Sequence, residues 1–185
     1  MEYDFTLKFQ LADSAADPDR LVERLGQAGC TDALVGVGQP GRIALDFTRE
    51  GPSARAAITS ALADVRKAIP EIKLVEVCPD LVGLTDIGEL LGVTRQNMRK
   101  LMLSHVAGFP VPVHDGSSAL WHLAHVLQWL KARGTYNIEQ SALAVAHAAM
   151  QINLAREIER LAPTARKEVR AVLDTRGPVA DRPRG

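Results

Sequence analysis

The sequence predicts an α+β protein in three parts: an N-terminal βαββαβ sandwich, a central helix-turn-helix with a wing, and a long C-terminal helix. Three observations carry this. Tyr3, Phe5, Leu7, Phe9 and Leu11 alternate with polar residues, the period of a half-buried strand. Two short apolar-faced segments lie on either side of Gly92. Leu143, His147, Met150, Leu154, Ile158 and Leu161 recur near heptad spacing. The expected limits are 1–80, 81–135 and 136–175, followed by a disordered tail over 176–185 that is rich in Pro, Gly and Arg.

Along the first part, Asp17-Pro18 starts a helix with an acidic cap and a proline at its first position. Leu21, Val22, Leu25 and Ala28 share one face, and Gly29 ends it. Leu34-Val35-Gly36-Val37 and Ile43-Ala44-Leu45-Asp46-Phe47 are strands, joined by the hairpin turn Gly38-Gln39-Pro40-Gly41. Gly51-Pro52 opens a second helix carrying Ile58, Leu62, Val65 and Ile69, and Pro70 stops it. Ile72 to Val77 is the last strand. This order is the ferredoxin-like arrangement, in which the second and fourth strands lie on opposite edges of the sheet. Cys30 and Cys78 then sit too far apart for a disulfide, so both are expected as free thiols. Two edge strands and an open sheet face favour a dimerisation or docking platform, with a small-molecule effector as the other possibility.

In the second part, Thr85 is the expected cap of a helix whose apolar face is Ile87, Leu90 and Leu91. Gly92 allows a sharp turn, and Thr94 caps a second helix over 94–103 with Met98, Leu101 and Met102 inward. Arg95, Gln96, Asn97, Arg99 and Lys100 are left outside. Arg, Gln and Asn pair bidentately with base edges, and here they occupy the first turn of the second helix. Gly108 to Val113 is extended, His114-Asp115-Gly116-Ser117-Ser118 is a turn, and Ala119-Leu120-Trp121 returns as a strand, a short β-hairpin wing. His122 to Lys131 is a further helix, and Phe109, Trp121 and Trp129 close a small core.

LTDIGELLGVTRQNMRKLM, then GFPVPV, a glycine turn, LW and VLQWL resemble the winged-helix DNA-binding domain of MerR-type regulators and phage excisionases. The resemblance covers residues 81–133. It implies a cytoplasmic bacterial or phage transcriptional regulator that binds double-stranded DNA as a homodimer. It places base reading on Arg95, Gln96 and Asn97, and phosphate contact on Thr94, Arg99 and Lys100. The wing residues His114, Ser117, Ser118 and His122 would touch the minor groove or the backbone. This wing departs from the family pattern: Asp115 sits at the tip, where an acid repels phosphate, and His122 rather than a basic residue follows the tryptophan. Affinity then rests on the recognition helix and on dimer avidity.

The bulk composition sets limits. Of 185 residues, 46% are hydrophobic, which excludes a wholly disordered chain. No apolar run is long enough for a membrane helix, and the acidic, alternating start is unlike a signal peptide. Two cysteines suit a reducing compartment. Lys plus Arg equals Asp plus Glu at 22 each, which taken alone argues against nucleic acid. The balance is uneven, however. Residues 1–80 hold 9 basic and 13 acidic groups, 81–135 hold 5 and 3, and 136–185 hold 8 and 6. His122 and His125 form an i, i+3 pair that with His114 would make a metal set, but polar surface histidines are commoner in such a pattern. No nucleophile–base set, paired-carboxylate site or phosphate loop stands out, so neither an enzyme nor a cofactor is expected. Asn137 and Gln140 resemble a capping box opening the last helix, whose stripe either packs on the chain itself or pairs protomers. A winged-helix protein-interaction or assembly module that does not read DNA is the alternative function.

Overall fold

The computed structural model describes residues 1–13 and 17–173, so the tail expected over 176–185 lies outside the described residues. It is an α+β structure with a four-stranded antiparallel sheet. Its elements begin β1 (Glu2–Gln10), α1 (Pro18–Gln27), β2 (Ala33–Gly36), β3 (Arg42–Glu50), α2 (Ala54–Ala68) and β4 (Lys73–Cys78). The strand order is β2-β3-β1-β4, so β2 and β4 are the edges. Cys30 and Cys78 are free, and burial pushes their thiols up to about 11 and about 12.

Alternation decides which face of the sheet is covered. Tyr3, Phe5, Leu7 and Phe9 on β1 and Ile43, Leu45 and Phe47 on β3 point into one core. Opposite them lie Leu21 and Leu25 of α1 and Ala57, Ile58, Ala61, Leu62 and Val65 of α2. Burying each large apolar side chain contributes about 1.5–3 kcal/mol. Val22 does not join them: it is 46% exposed, because α1 presents only the narrow Leu21–Leu25 stripe to the core. Asp17 caps α1 by accepting the Asp19 N–H.

The other face of the sheet is polar and bonded to itself. The Thr6 hydroxyl donates to Asp46 (2.6 Å), the Thr48 hydroxyl to Asp4 (2.7 Å), and Lys8 pairs with Glu76 (3.0 Å). At its edge, β2 adds an exposed leucine to this face, Leu34, which pairs with Asp46. A groove of about 490 Å³ runs across the face, lined by Asp4, Thr6, Thr31, Asp32, Asp46 and Thr48 among others.

One charged side chain breaks the inward alternation of β3. Arg49 follows Ile43, Leu45 and Phe47 in phase, and its side chain is only 10% exposed. It donates to Asp32 (2.7 and 2.9 Å), Asp64 (2.7 Å) and Ser60 (3.2 Å), and lies over the Phe47 ring. This clamp ties the loop before β2 to α2 across β3.

The chain continues through β5 (Leu81–Val82), α3 (Leu84–Leu90), α4 (Arg95–Ser104), β6 (Trp121–His122), α5 (Leu123–Arg133), α6 (Gln140–Arg160) and α7 (Pro163–Leu173). A second core joins Ile87 of α3, Met98 of α4, Phe109, Trp121, and Leu123, Val126, Leu127 and Leu130 of α5. Trp129 is partly buried against it, edge-on to Phe109 and covered by Arg133. The described residues up to Ile152 form one compact unit, and those from Asn153 to Leu173 belong to another. Within the first, α6 begins at Gln140, so Asn137 lies too early to cap it, and the Gln140 side chain instead accepts from Lys131 (2.6 Å). In the second, Arg166 of α7 donates to the carbonyls of Leu161 (3.0 Å) and Glu159 (2.7 Å), closing the end of α6. Among the described residues, no helix is long and apolar enough to cross a membrane.

Arg49→Met should lower unfolding stability by about 2 kcal/mol at neutral pH, less than a fully buried pair because both carboxylates are about a third in water. The Arg49 hydrogen bonds hold the Asp32 carboxyl below its ordinary range. That part of the stability is complete above the unfolded carboxyl value of about 4 and is lost as pH falls through the lower folded value. Urea titrations of both forms at several pH values check this: the gap between them should narrow in acid, and a gap constant down to pH 2 contradicts it.

Candidate nucleic-acid interface

The helix pair α3–α4 is built on two glycines. At Gly92 the backbone is left-handed (φ +67°), which turns the chain between the helices. At Gly88, an added Cβ would stand 2.7 Å from the Val93 carbonyl oxygen, so α3 meets the turn in backbone contact. Val93 returns its N–H to the Gly88 carbonyl (2.8 Å), locking the two together. The cap of α3 differs from expectation. The helix starts at Leu84, Thr85 is already inside it, and the Asp86 carboxylate accepts the Gly83 N–H (2.7 Å). Ile87 is fully buried but Leu90 is 49% exposed, because α3 ends there and Leu91 turns inward in its place.

Thr94 caps α4, its hydroxyl oxygen accepting the Asn97 N–H (3.2 Å). The Thr94 O–H and the N–H groups of Arg95 and Gln96 remain at the exposed helix start, where the helix dipole favours an anion. Met98 is fully buried under the helix, and Leu101 and Met102 are partly buried. That orientation turns Arg95, Gln96, Asn97, Arg99 and Lys100 to solvent. Among the described residues, none of Arg95, Arg99 and Lys100 has an ion-pair partner, so their charges are available to a ligand. Gln96, Arg99, Lys100, Leu103 and Ser104 line a shallow groove along the helix.

The wing is smaller than the sequence pattern indicates. Its hairpin is held by one bridge, His114 to Leu120, with backbone hydrogen bonds of 2.7 and 2.9 Å around it. Trp121 pairs with Val82 and His122 with Leu81, so the returning strand completes a ribbon with β5. The Trp121 indole donates to the Pro110 carbonyl (3.0 Å), pinning the incoming arm of the hairpin. His114, Asp115, Ser117 and Ser118 are exposed at the tip.

His122 is placed elsewhere than expected. Its Nδ1 is 2.6 Å from the Asp80 carboxylate, with the two side chains 11% and 2% exposed. The Asp80 carbonyl also accepts the Leu123 N–H (2.7 Å) at the start of α5. The ring is therefore a strut beneath the wing and is not offered to a ligand. His125 packs edge-on against it. Among the described residues, no group of three or more His, Cys, Asp or Glu is arranged to hold a metal ion. Asp80 and Arg49 were absent from the sequence reading. An arginine in the inward phase of β3 was a signal that could have found the second.

The ten residues therefore divide. Thr94, Arg95, Gln96, Asn97, Arg99 and Lys100 share one exposed helix, His114, Ser117 and Ser118 share the hairpin tip, and His122 is withdrawn. Compared with protein families, curated proteins and solved structures, the chain matches none.

Gly88→Ala should cost about 2 kcal/mol, since the new methyl meets a carbonyl oxygen and the helix must move away from the turn. Thermal melts compared with the exposed control Glu89→Ala check it: equal melting temperatures would mean that the close approach carries no weight.

Proposed function

We propose that the protein is a sequence-specific DNA-binding protein, a transcriptional regulator that reads the major groove of double-stranded DNA with α4 and acts as a homodimer. In this reading residues 81–133 are a winged helix-turn-helix of the MerR or excisionase type, carried by a ferredoxin-like platform. The observation that carries it is the face of α4: five exposed polar side chains, three of them cations without partners among the described residues, on a capped helix anchored by Met98.

The chemistry of that face divides the work. Arg95, Gln96 and Asn97 stand in the first turn, the part that reaches base edges, and each carries a fork able to bond two base atoms. Arg99 and Lys100 neutralise phosphates, assisted by the Thr94 hydroxyl and the open helix N-terminus. The wing contributes little, since its tip carries Asp115 and its one bridge makes it short. Two phosphate cations per protomer, doubled in a dimer, give a slope of log affinity against log salt of roughly −3 to −4.

An interaction or assembly module is the second reading. Val111 and Val113, on the incoming arm of the hairpin, are 84% and 54% exposed, as a protein partner would require.

Selection from a random DNA pool, followed by titration across a salt series, separates the two. A regulator enriches a short site, repeated if the protein is a dimer. Arg95→Ala should lose about 1–3 kcal/mol at one base position and relax specificity there. Arg99→Ala should weaken all sequences alike and lower the salt slope by about one per protomer. Failure to enrich any sequence, with affinity staying at the non-specific level, would falsify DNA reading. Sedimentation at the same concentrations tests the dimer, and a strict monomer counts against it.

A further inference from the structure

We infer that Leu103 makes α4 sensitive to a methyl group in the major groove, so that the preferred site contains a thymine read by its C5-methyl. The inference rests on the DNA-reading function proposed above and names a specificity element within it.

Leu103 is 56% exposed although it belongs to a helix whose apolar residues otherwise point inward: Met98 is fully buried, and Leu101 and Met102 are partly so. It sits in line with Gln96, Arg99 and Lys100, at i+7, i+4 and i+3 from them, and the four border the same groove. Two turns after Gln96, which reads bases in the proposed function, Leu103 falls in line with it and between the rows of Arg99 and Lys100, so it extends the base-facing line of the helix. Within the major groove the one apolar group on a base edge is the thymine methyl, and apolar side chains are its usual contact.

Two other occupants fit the groove less well. A second copy of this chain, brought up about a twofold axis on this face, would set Arg99 and Lys100 against their own images, and like charges in contact are destabilising. A lipid surface needs a broad apolar face, whereas Leu103 is flanked along the groove by Arg99, Lys100 and Ser104. The charge of the groove suits a polyanion, and its one apolar member suits a methyl.

The test uses the full chain and the site enriched from the random pool. Each thymine is replaced in turn by deoxyuridine, which removes only the methyl, and affinity is read by fluorescence anisotropy at fixed salt. The wild-type protein should lose about fourfold at one thymine per half-site, the effect of withdrawing one methyl-sized apolar group. Leu103→Ala should bind the thymine and deoxyuridine sites equally, while keeping the wild-type salt slope. Leu103→Met should restore part of the discrimination. Leu103 is exposed, so circular dichroism should show an unchanged fold, which separates loss of the methyl contact from loss of the helix. If Leu103→Ala keeps the wild-type response at every thymine, or if no thymine responds in the wild type, the role of Leu103 is overturned and DNA reading stands. If no site can be enriched at all, DNA reading falls and this inference falls with it.

Discussion

The first half of α6 belongs to two hydrophobic cores at once. Val145, Ala148 and Ala149 are buried with the sheet and with α1 and α2, whereas Leu143 and Ala146 are buried with α3, α4 and α5. Ile152 and Met150 extend the two contacts one turn further. The alanines make this possible, because a helix can approach neighbours on two sides only where its side chains are short. On its exposed side, Arg55 of α2 donates a hydrogen bond to Gln151. Rotating α6 to improve one core would withdraw side chains from the other. The platform and the helix pair are thereby held as one unit, and the exposed face of α4 inherits its direction from that packing.

Asp80 is the second tie, and it acts where the first part of the chain gives way to the second. Its carboxylate holds His122 and its carbonyl holds the start of α5. A carboxylate this deeply buried is costly without a partner. The contact therefore fixes the returning strand and the first turn of α5 together. β5 and β6 are two residues each, too short to hold themselves. The proposed DNA-reading helix thus stands on a support whose polar pins lie outside the reading surface. The same separation holds for charge. Asp4, Asp46, Asp32 and Asp64 are engaged by Thr48, Thr6 and Arg49, while the cations of α4 have no partner among the described residues. A neutral total charge is then compatible with a cationic face on α4, and in the proposed function the acidic N-terminal part would disfavour loose attachment to phosphate.

The parts of the fold that were legible in the sequence are those governed by local periodicity. The odd-numbered residues of β1, the Ile58–Leu62–Val65 face of α2, the turn at Gly92 and the Thr94 cap all follow from spacing or from one residue's conformational needs. The exposed set on α4 was legible for the same reason, since burying Met98 settles where its neighbours point. What escaped depends on distance along the chain. The Trp121 backbone pairs with Val82 while its indole stays with the wing, and His122 chose Asp80, 42 residues away. Nothing in a two-residue strand announces its partner. Val22 and Leu90 were misplaced for a different reason: helices of 10 and 7 residues offer too few apolar positions to fix the edge of the buried face.

The long stripe on the last helix shows the limit of periodicity from the other side. Leu143 and Met150 meet their own chain, yet Leu154, Ile158 and Leu161, in the same register, are 45%, 53% and 40% exposed. One sequence pattern therefore serves two environments, and the change falls where the compact unit ends at Ile152. An eleven-residue helix such as α7 has no buried side chain and is marginal in water by itself. Arg166 bonds it to the end of α6, but Val169, Val172 and Leu173 remain 45%, 75% and 74% exposed. Spacing alone could not separate packing within the chain from packing between chains. The structure assigns the first to residues 140–152 and leaves the exposed remainder as the surface on which the proposed dimer has to be tested.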